Sequence, residues 1–426
     1  MTPTVGATQR LRDLPGFLRF WTATTVSGFG TYVTSVAIQV LVVITLHEGA
    51  TGVGLVNSAR WLPYLLFGLV AGVLVDRSRR LPLLVTTDIG RGLLLVAVPL
   101  LALTHQLSLI VLMAFMVVFG LMSLVNDAAS QSFVPRLVHG SLLTRANARL
   151  DQSDAVAQTS GPALAGGLVS LLTAPWAVLV DAASYLISGL LLLRIPVLEP
   201  GSQRVSLRGI RREAVEGLRW VYRHATLLPY ALGAHAWFLF FAFVNSVLPP
   251  FALRTLDLSA FGYGVALAVG GVGGLLGALA ATRLGVRFGA GRVAIVCMIG
   301  NGLAVAVLAL SSSHWLGWVL FGAGEVLLGL SMGASNANEM GYRQSVTPDH
   351  LQARMNTTVR SVNRAMIVIG APVGGILGDA IGFRPVLWIA AAGFVTIAAA
   401  LAFTPYRDAR IEDDATGAPA VVRPDQ

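Results

Sequence analysis

The chain has 426 residues, of which 55% are hydrophobic and only 12% charged, with a net charge of +9 and a single cysteine, Cys297. Soluble domains carry about 25% charged residues, so this composition excludes a water-soluble fold. One cysteine and seven histidines without His-x-x-x-His spacing exclude a disulfide framework and a metal centre.

Every basic side chain is arginine, and most lie in short turns between long apolar runs. That distribution reads as membrane orientation and argues against a nucleic-acid partner. The segment 1–19 is polar and basic and lacks a cleavable signal pattern. Apolar runs of about twenty residues suffice to cross a hydrocarbon core of about 30 Å as helices. In chain order they predict spans at 17–46, 52–75, 83–103, 107–134, 144–172 and 175–195. After a polar connector at 196–225 come 227–253, 262–284, 293–311, 315–340, 355–381 and 385–403.

The expected organisation is an N-terminal six-helix bundle over 1–196, an amphipathic cytoplasmic linker over 197–225, a C-terminal six-helix bundle over 226–404 and a disordered tail over 405–426. In the linker, Leu207, Ile210, Ala214, Leu218 and Val221 recur at helical spacing with arginines opposite. That predicts a helix on the cytoplasmic leaflet, its cations near anionic headgroups, joining the two halves.

Arginine placement supports twelve spans with both termini inside. Twenty-three arginines fall in the tails and the loops after even-numbered spans, among them Arg77, Arg79, Arg80, Arg136, Arg212 and Arg287, whereas the opposite loops hold only Arg254 and Arg384. The halves also repeat. Arg145 and Asn147 correspond to Arg354 and Asn356 at an offset of 209, and Pro162 corresponds to Pro372 within one residue of it. Gly72-Val-Leu74 recurs as Gly277-Ala-Leu279, with Ala281 in place of Asp76.

The turn Gly72-x-x-x-Asp76-Arg77-x-Arg79-Arg80 joins the second and third spans. It resembles the signature turn of the major facilitator superfamily, with Arg79 where many members carry glycine. That departure is similar to the branch containing macrolide-efflux proteins and the enterobactin exporter. The resemblance covers nearly all of 17–403. It implies an all-α polytopic fold of twelve transmembrane helices in two pseudo-symmetric six-helix bundles, with substrate held near the midplane between parallel repeats. It further implies that Asp76 caps the eleventh span near Asn356 and Thr357 as a conformational switch, with Gly72, Arg77 and Arg80. The plainer alternative makes Asp76 and Arg77 a solvated loop pair. Asp88 and Arg91, three apart on the third span, form an intrahelical pair or join Asp127 in a wider switch network. Gly161-Pro162 followed by Gly166-Gly167 resembles the glycine-proline motif of antiporters, with three residues rather than two between proline and the glycine pair. Such residues also serve plain helix packing.

Ionisable groups inside hydrocarbon are costly and therefore candidates for function. Glu325 sits about ten residues into the tenth span and is the leading proton-coupling residue; the alternative is a structural glutamate paired with Arg364. Asp127 in the fourth span and Asp181 in the outer part of the sixth are further proton-coupling candidates. Asp151 and Asp154 read as structural, at the positive end of the fifth helix. If helices one, four, seven and ten line the cavity as in the family, its candidates are Tyr32, Gln39, Met116, His235, Trp237, Phe238, Phe241, Asn245 and Asn336, with Arg364 from the eleventh span. Aromatics and methionines with few polar groups suit a bulky amphipathic ligand.

The resulting expectation is a multi-pass cell-membrane protein exporting an amphipathic small molecule by proton antiport. It would act as a monomer in the lipid bilayer, with the proton gradient in place of a cofactor. An importer or facilitator of the same superfamily is the first alternative, and a non-transporting receptor the second. No catalytic cluster and no phosphate-binding Walker motif is present, so neither an enzyme nor direct ATP drive is expected.

Overall fold

A computed structural model describes residues 11–76, 78–196 and 210–411. Among these residues there are no strands, only helices and short connections. The helices are α1 (Pro15–Val40), α2 (Ala50–Asp76), α3 (Arg80–Leu103), α4 (Leu109–Leu137), α5 (Leu143–Leu172) and α6 (Ala174–Leu193). Then follow α7 (Ile210–Arg223), α8 (Leu227–Pro250), α9 (Ala260–Phe288), α10 (Ala290–Leu310), α11 (Trp315–Ser345), α12 (Asp349–Ile381) and α13 (Phe383–Ala402). Eleven of them are long and apolar enough to cross a membrane. The 27-residue α2 is the twelfth of the expected spans, and the short α7 is the linker helix.

The repeat visible in sequence extends to backbone detail. α1 ends in a π-helical turn at Leu41–Thr45, and α8 ends in one at Phe251–Thr255. Each is followed by a left-handed residue, His47 (φ 56°) and Asp257 (φ 54°). The turn between α5 and α6 places Thr173 at φ 70°, ψ 161°, and that between α12 and α13 places Gly382 at φ 95°, ψ 157°. A glycine meets that conformation without strain, whereas a threonine does not.

The described residues divide into two compact units. One holds α1, α3 to α6, α2 from Ala59 onward and the start of α9 as far as Val265. Its core packs Phe17, Phe20, Leu84, Phe133 and Leu192, with Phe20 and Phe133 edge to face at 5.6 Å. The second unit holds α7, α8, α9 from Ala266, α10 to α13 and the first turns of α2 as far as Ser58. Within it α9 and α11 cross closely, since a methyl on Gly329 would lie 1.9 Å from the Gly270 carbonyl oxygen.

Two expected segments take defined form. The linker helix forms as α7 and packs on α12, where Glu216 pairs with Arg354, while the Trp220 indole donates to Thr347, just before α12, at 3.3 Å. Its expected first residue, Leu207, lies outside the described residues. The chain after the last span is not disordered from its start. Pro405–Asp408 forms a 3-10 turn whose Tyr406 is 0% exposed, packed between Tyr230 (5.5 Å) and Tyr342 (5.7 Å). Asp408 pairs with Arg292 at 2.9 Å, and the Gly291 N–H donates to the Ala409 carbonyl at 3.1 Å. Hydrophobic burial and a directed pair hold a segment that its composition alone would leave loose.

Candidate functional site

Among its described residues the second unit buries a carboxylate without full compensation. Glu325 lies ten residues into α11, is 6% exposed, and its Oε1 has no hydrogen-bond partner. Small residues make this possible: a methyl on Gly270 of α9 would meet Glu325 Oε2 at 3.2 Å. An acid withdrawn from water and left incompletely bonded is expensive.

The first unit holds a larger buried polar network. Asp88 and Arg91 of α3 form an ion pair at 3% and 6% exposure. The Arg91 guanidinium lies 4.2 Å over the Tyr185 ring of α6 and donates to Ser123 of α4 at 3.5 Å. Asp88 accepts from Ser188 and, at 3.0 Å, from Asn126. The Tyr185 hydroxyl in turn lies 2.8 Å from that of Thr31 on α1. The pair is therefore intrahelical, as the simpler expectation held, and also the centre of a four-helix network. Asn126 makes the bond from α4; its neighbour Asp127 is exposed and accepts from Tyr64 of α2 at 2.6 Å.

Asp181, expected in the outer part of the sixth span, is 0% exposed. It accepts from Ser184 at 2.8 Å while its Oδ2 has no partner. Its room comes from Gly30 of α1, where a methyl would sit 2.0 Å from Asp181 Oδ1. The antiporter-like motif packs closely too. A methyl on Gly161 would meet Tyr32 at 2.5 Å and one on Gly166 the Ala260 carbonyl oxygen at 2.5 Å, while Pro162 lies against Gly264 and Gly167 against Phe261.

The candidate cavity residues are divided between the two units. In the first unit the Tyr32 hydroxyl donates to Asp154 at 3.4 Å, Gln39 accepts from Tyr263 at 2.9 Å, and Met116 is 3% exposed inside α4's packing. In the second unit His235 is buried between Tyr222 (2.8 Å) and Asn363 (2.7 Å). Trp237 stacks on Phe241 at 4.6 Å and meets Phe238 edge-on at 4.9 Å. The Asn245 amide donates to the Phe241 carbonyl of its own helix at 2.9 Å. Asn336 is exposed and Arg364 half-buried. The burial of Gly72 and Asp76, and all of Arg77, lie outside the described residues, so of the arginines of the switch turn Arg79, exposed as the cap of α3, and Arg80, half-buried at its start, are placed.

Four groups matter that sequence reasoning passed over or read as structural. Asp151 and Asp154 line a cavity of about 490 Å³ between α1, α4 and α5, with Thr24, Gln131 and Asn147. Asn338, not Asn336, is the buried asparagine of α11, donating to Ala281 and Ala334 carbonyls at 2.9 Å each. Glu339 accepts from Ser335, beside an Arg343 guanidinium 5.6 Å over the Tyr230 ring. Asp379 accepts from the first N–H groups of α2. The i, i+4 spacing of Ser335 and Glu339 was the one available signal, since a distant partner leaves none.

A model of the transmembrane secretion effector family matches residues 12–421. The chain belongs to that family. It is thereby a membrane transporter of the major facilitator superfamily and not an enzyme. The transporter is similar to the multidrug efflux pump Tap of Mycolicibacterium fortuitum, with 26% identity over 84% of this chain and 88% of Tap. It is also similar to the enterobactin exporter EntS of Shigella dysenteriae, with 25% identity over 84% of this chain and 80% of EntS. The crystal structure of the D323A mutant of the nucleoside transporter NupG shares the fold, at a TM-score of 0.75 and 13% identity over 91% of this chain and 98% of that one.

Proposed function

We propose that the transporter exports an amphipathic small molecule from the cell, driven by protons entering through alternating access. The observation carrying this reading is Glu325, a carboxylate buried in a spanning helix with an oxygen that nothing among the described residues satisfies. Such a group is costly when charged and can be relieved by a proton, which makes it a carrier that loads and unloads as water reaches it from alternate sides. Asp181, likewise buried with an unmatched oxygen, is taken as the second proton-coupling group, and Asp127, exposed beside Tyr64, as the group that exchanges protons with water. Export is supported by the similarity to Tap and EntS, whose names describe efflux and export. Both termini are taken to lie in the cytoplasm on the arginine distribution, and the Asp76 turn is taken as the switch on that side.

The test uses purified transporter in sealed vesicles under an imposed proton gradient, loaded with candidate amphipathic substrates. Gradient-driven movement that Glu325→Gln abolishes, with substrate exchange retained, supports the assignment. No movement under any gradient overturns it.

A further inference from the structure

Two helix starts in this molecule are held in the same way, 210 positions apart. Asp379, near the end of α12, accepts from the N–H groups of Ala50 (2.8 Å) and Thr51 (2.9 Å), the first residues of α2. Ser170, near the end of α5, accepts from the N–H of Phe261 at 3.1 Å, in the first turn of α9. Unpaired N–H groups and the positive dipole end favour an acceptor at both places, and a carboxylate more than a hydroxyl.

The contacts extend along the helices in matching register. A methyl on Gly375 would lie 2.4 Å from the Ala50 carbonyl oxygen, and one on Gly166 would lie 2.5 Å from that of Ala260. Likewise Gly54 lies against the Ala371 carbonyl as Gly264 lies against that of Pro162, with methyl-to-oxygen separations of 2.1 and 2.3 Å. Ser58 closes the first contact by donating to the Val368 carbonyl at 2.7 Å. The antiporter-like residues Pro162 and Gly166 are thus the surface that receives α9. The first turns of α2 group with the second unit although the rest of that helix belongs to the first, and the start of α9 does the reverse.

We propose that Asp379 is a gating residue, whose release of the first turn of α2 sets the rate at which transport cycles, with Ser170 as its weaker, uncharged counterpart on α9. The Asp379 contact lies at the end of α2 opposite Asp76. Helix pairs joined there by backbone-close packing separate only when their caps are surrendered. The proposal rests on the alternating-access reading. It assigns Asp379 no contact with substrate and no proton.

The experiment replaces Cys297 by alanine and places a reporter cysteine at Val53, a buried residue of the first turns of α2. The rate of labelling by a membrane-impermeant maleimide is followed, together with turnover and KM. Asp379→Ala should raise labelling about three- to tenfold, the worth of one helix cap. Asp379→Ser, which installs the repeat partner's residue, should fall between parent and Asp379→Ala. Ser170→Asp should lower turnover several-fold at unchanged KM. Parental labelling in both Asp379 variants, or a change confined to KM, overturns the proposal. If Asp379→Ala fails to fold, Asp379→Ser carries the test. Labelling needs neither substrate nor gradient: labelling that responds in vesicles that transport nothing sinks the exporter reading alone, and transport with invariant labelling sinks the gate alone.

Discussion

Thr173 and Gly382 occupy the same turn in the two repeats, at φ 70°, ψ 161° and φ 95°, ψ 157°. The first carries a β-branched side chain where the second carries none.

Replacing Thr173 by glycine should therefore stabilise the protein by about 1 kcal/mol, because relief of backbone strain outweighs the added freedom of the unfolded chain. Gly382→Thr should cost at least as much. Thermal unfolding in detergent checks both. A lower melting temperature for Thr173→Gly would refute the strain argument.

Breaking the Asp88–Arg91 pair from one side should be severe. Arg91→Leu leaves the Asp88 carboxylate buried with only Ser188 and Asn126, a loss of about 3–5 kcal/mol. Removing both charges together should cost less than either single change. Denaturation of the three variants decides whether the pair is coupled in this way.

Glu325→Gln keeps the shape of the side chain and removes its ability to carry a proton. The variant should insert and fold like the parent while its transport loses dependence on the proton gradient and on external pH. Transport whose pH profile is unchanged would remove Glu325 from the coupling step.

Gly30→Ala would bring a methyl to 2.0 Å from Asp181 Oδ1. Overpacking of this kind costs about 1–3 kcal/mol. Pairing it with Asp181→Ala should recover part of the loss, which a double-mutant cycle measures.

Burial holds the Tyr222 phenol above its usual range, so it stays protonated. Its hydroxyl can then donate to His235 Nε2, leaving His235 Nδ1–H to donate to Asn363 Oδ1. This chain fastens α7 to α8 and α12. Tyr222→Phe should cost about 1 kcal/mol and speed proteolysis near α7.

The apolar runs were legible because a spanning helix satisfies its own backbone and needs only length and hydrophobicity. Their ends were less so. α11 continues to Ser345, past the predicted Met340, because nothing in Gly341–Ser345 stops a helix until Pro348, which then opens α12 at Asp349 rather than Met355. Asp181 shows the limit for the site. Sequence placed it in a spanning helix, but only its seat against Gly30, some 150 residues earlier, makes it buried rather than accessible. Asp379 carries no local signal, since its partner Ala50 is 329 residues away. The two hydrogen-bonding neighbours of His235, Tyr222 and Asn363, come from segments that no local pattern connects.

The buried ring of Tyr406 has a practical corollary for trimming the polypeptide. A version ended at the last span, near Ala402, would leave an open socket between Tyr230 and Tyr342 and strip Arg292 of its counter-ion. The shortest durable form of this transporter should retain residues through Ala409, with affinity tags joined beyond that point.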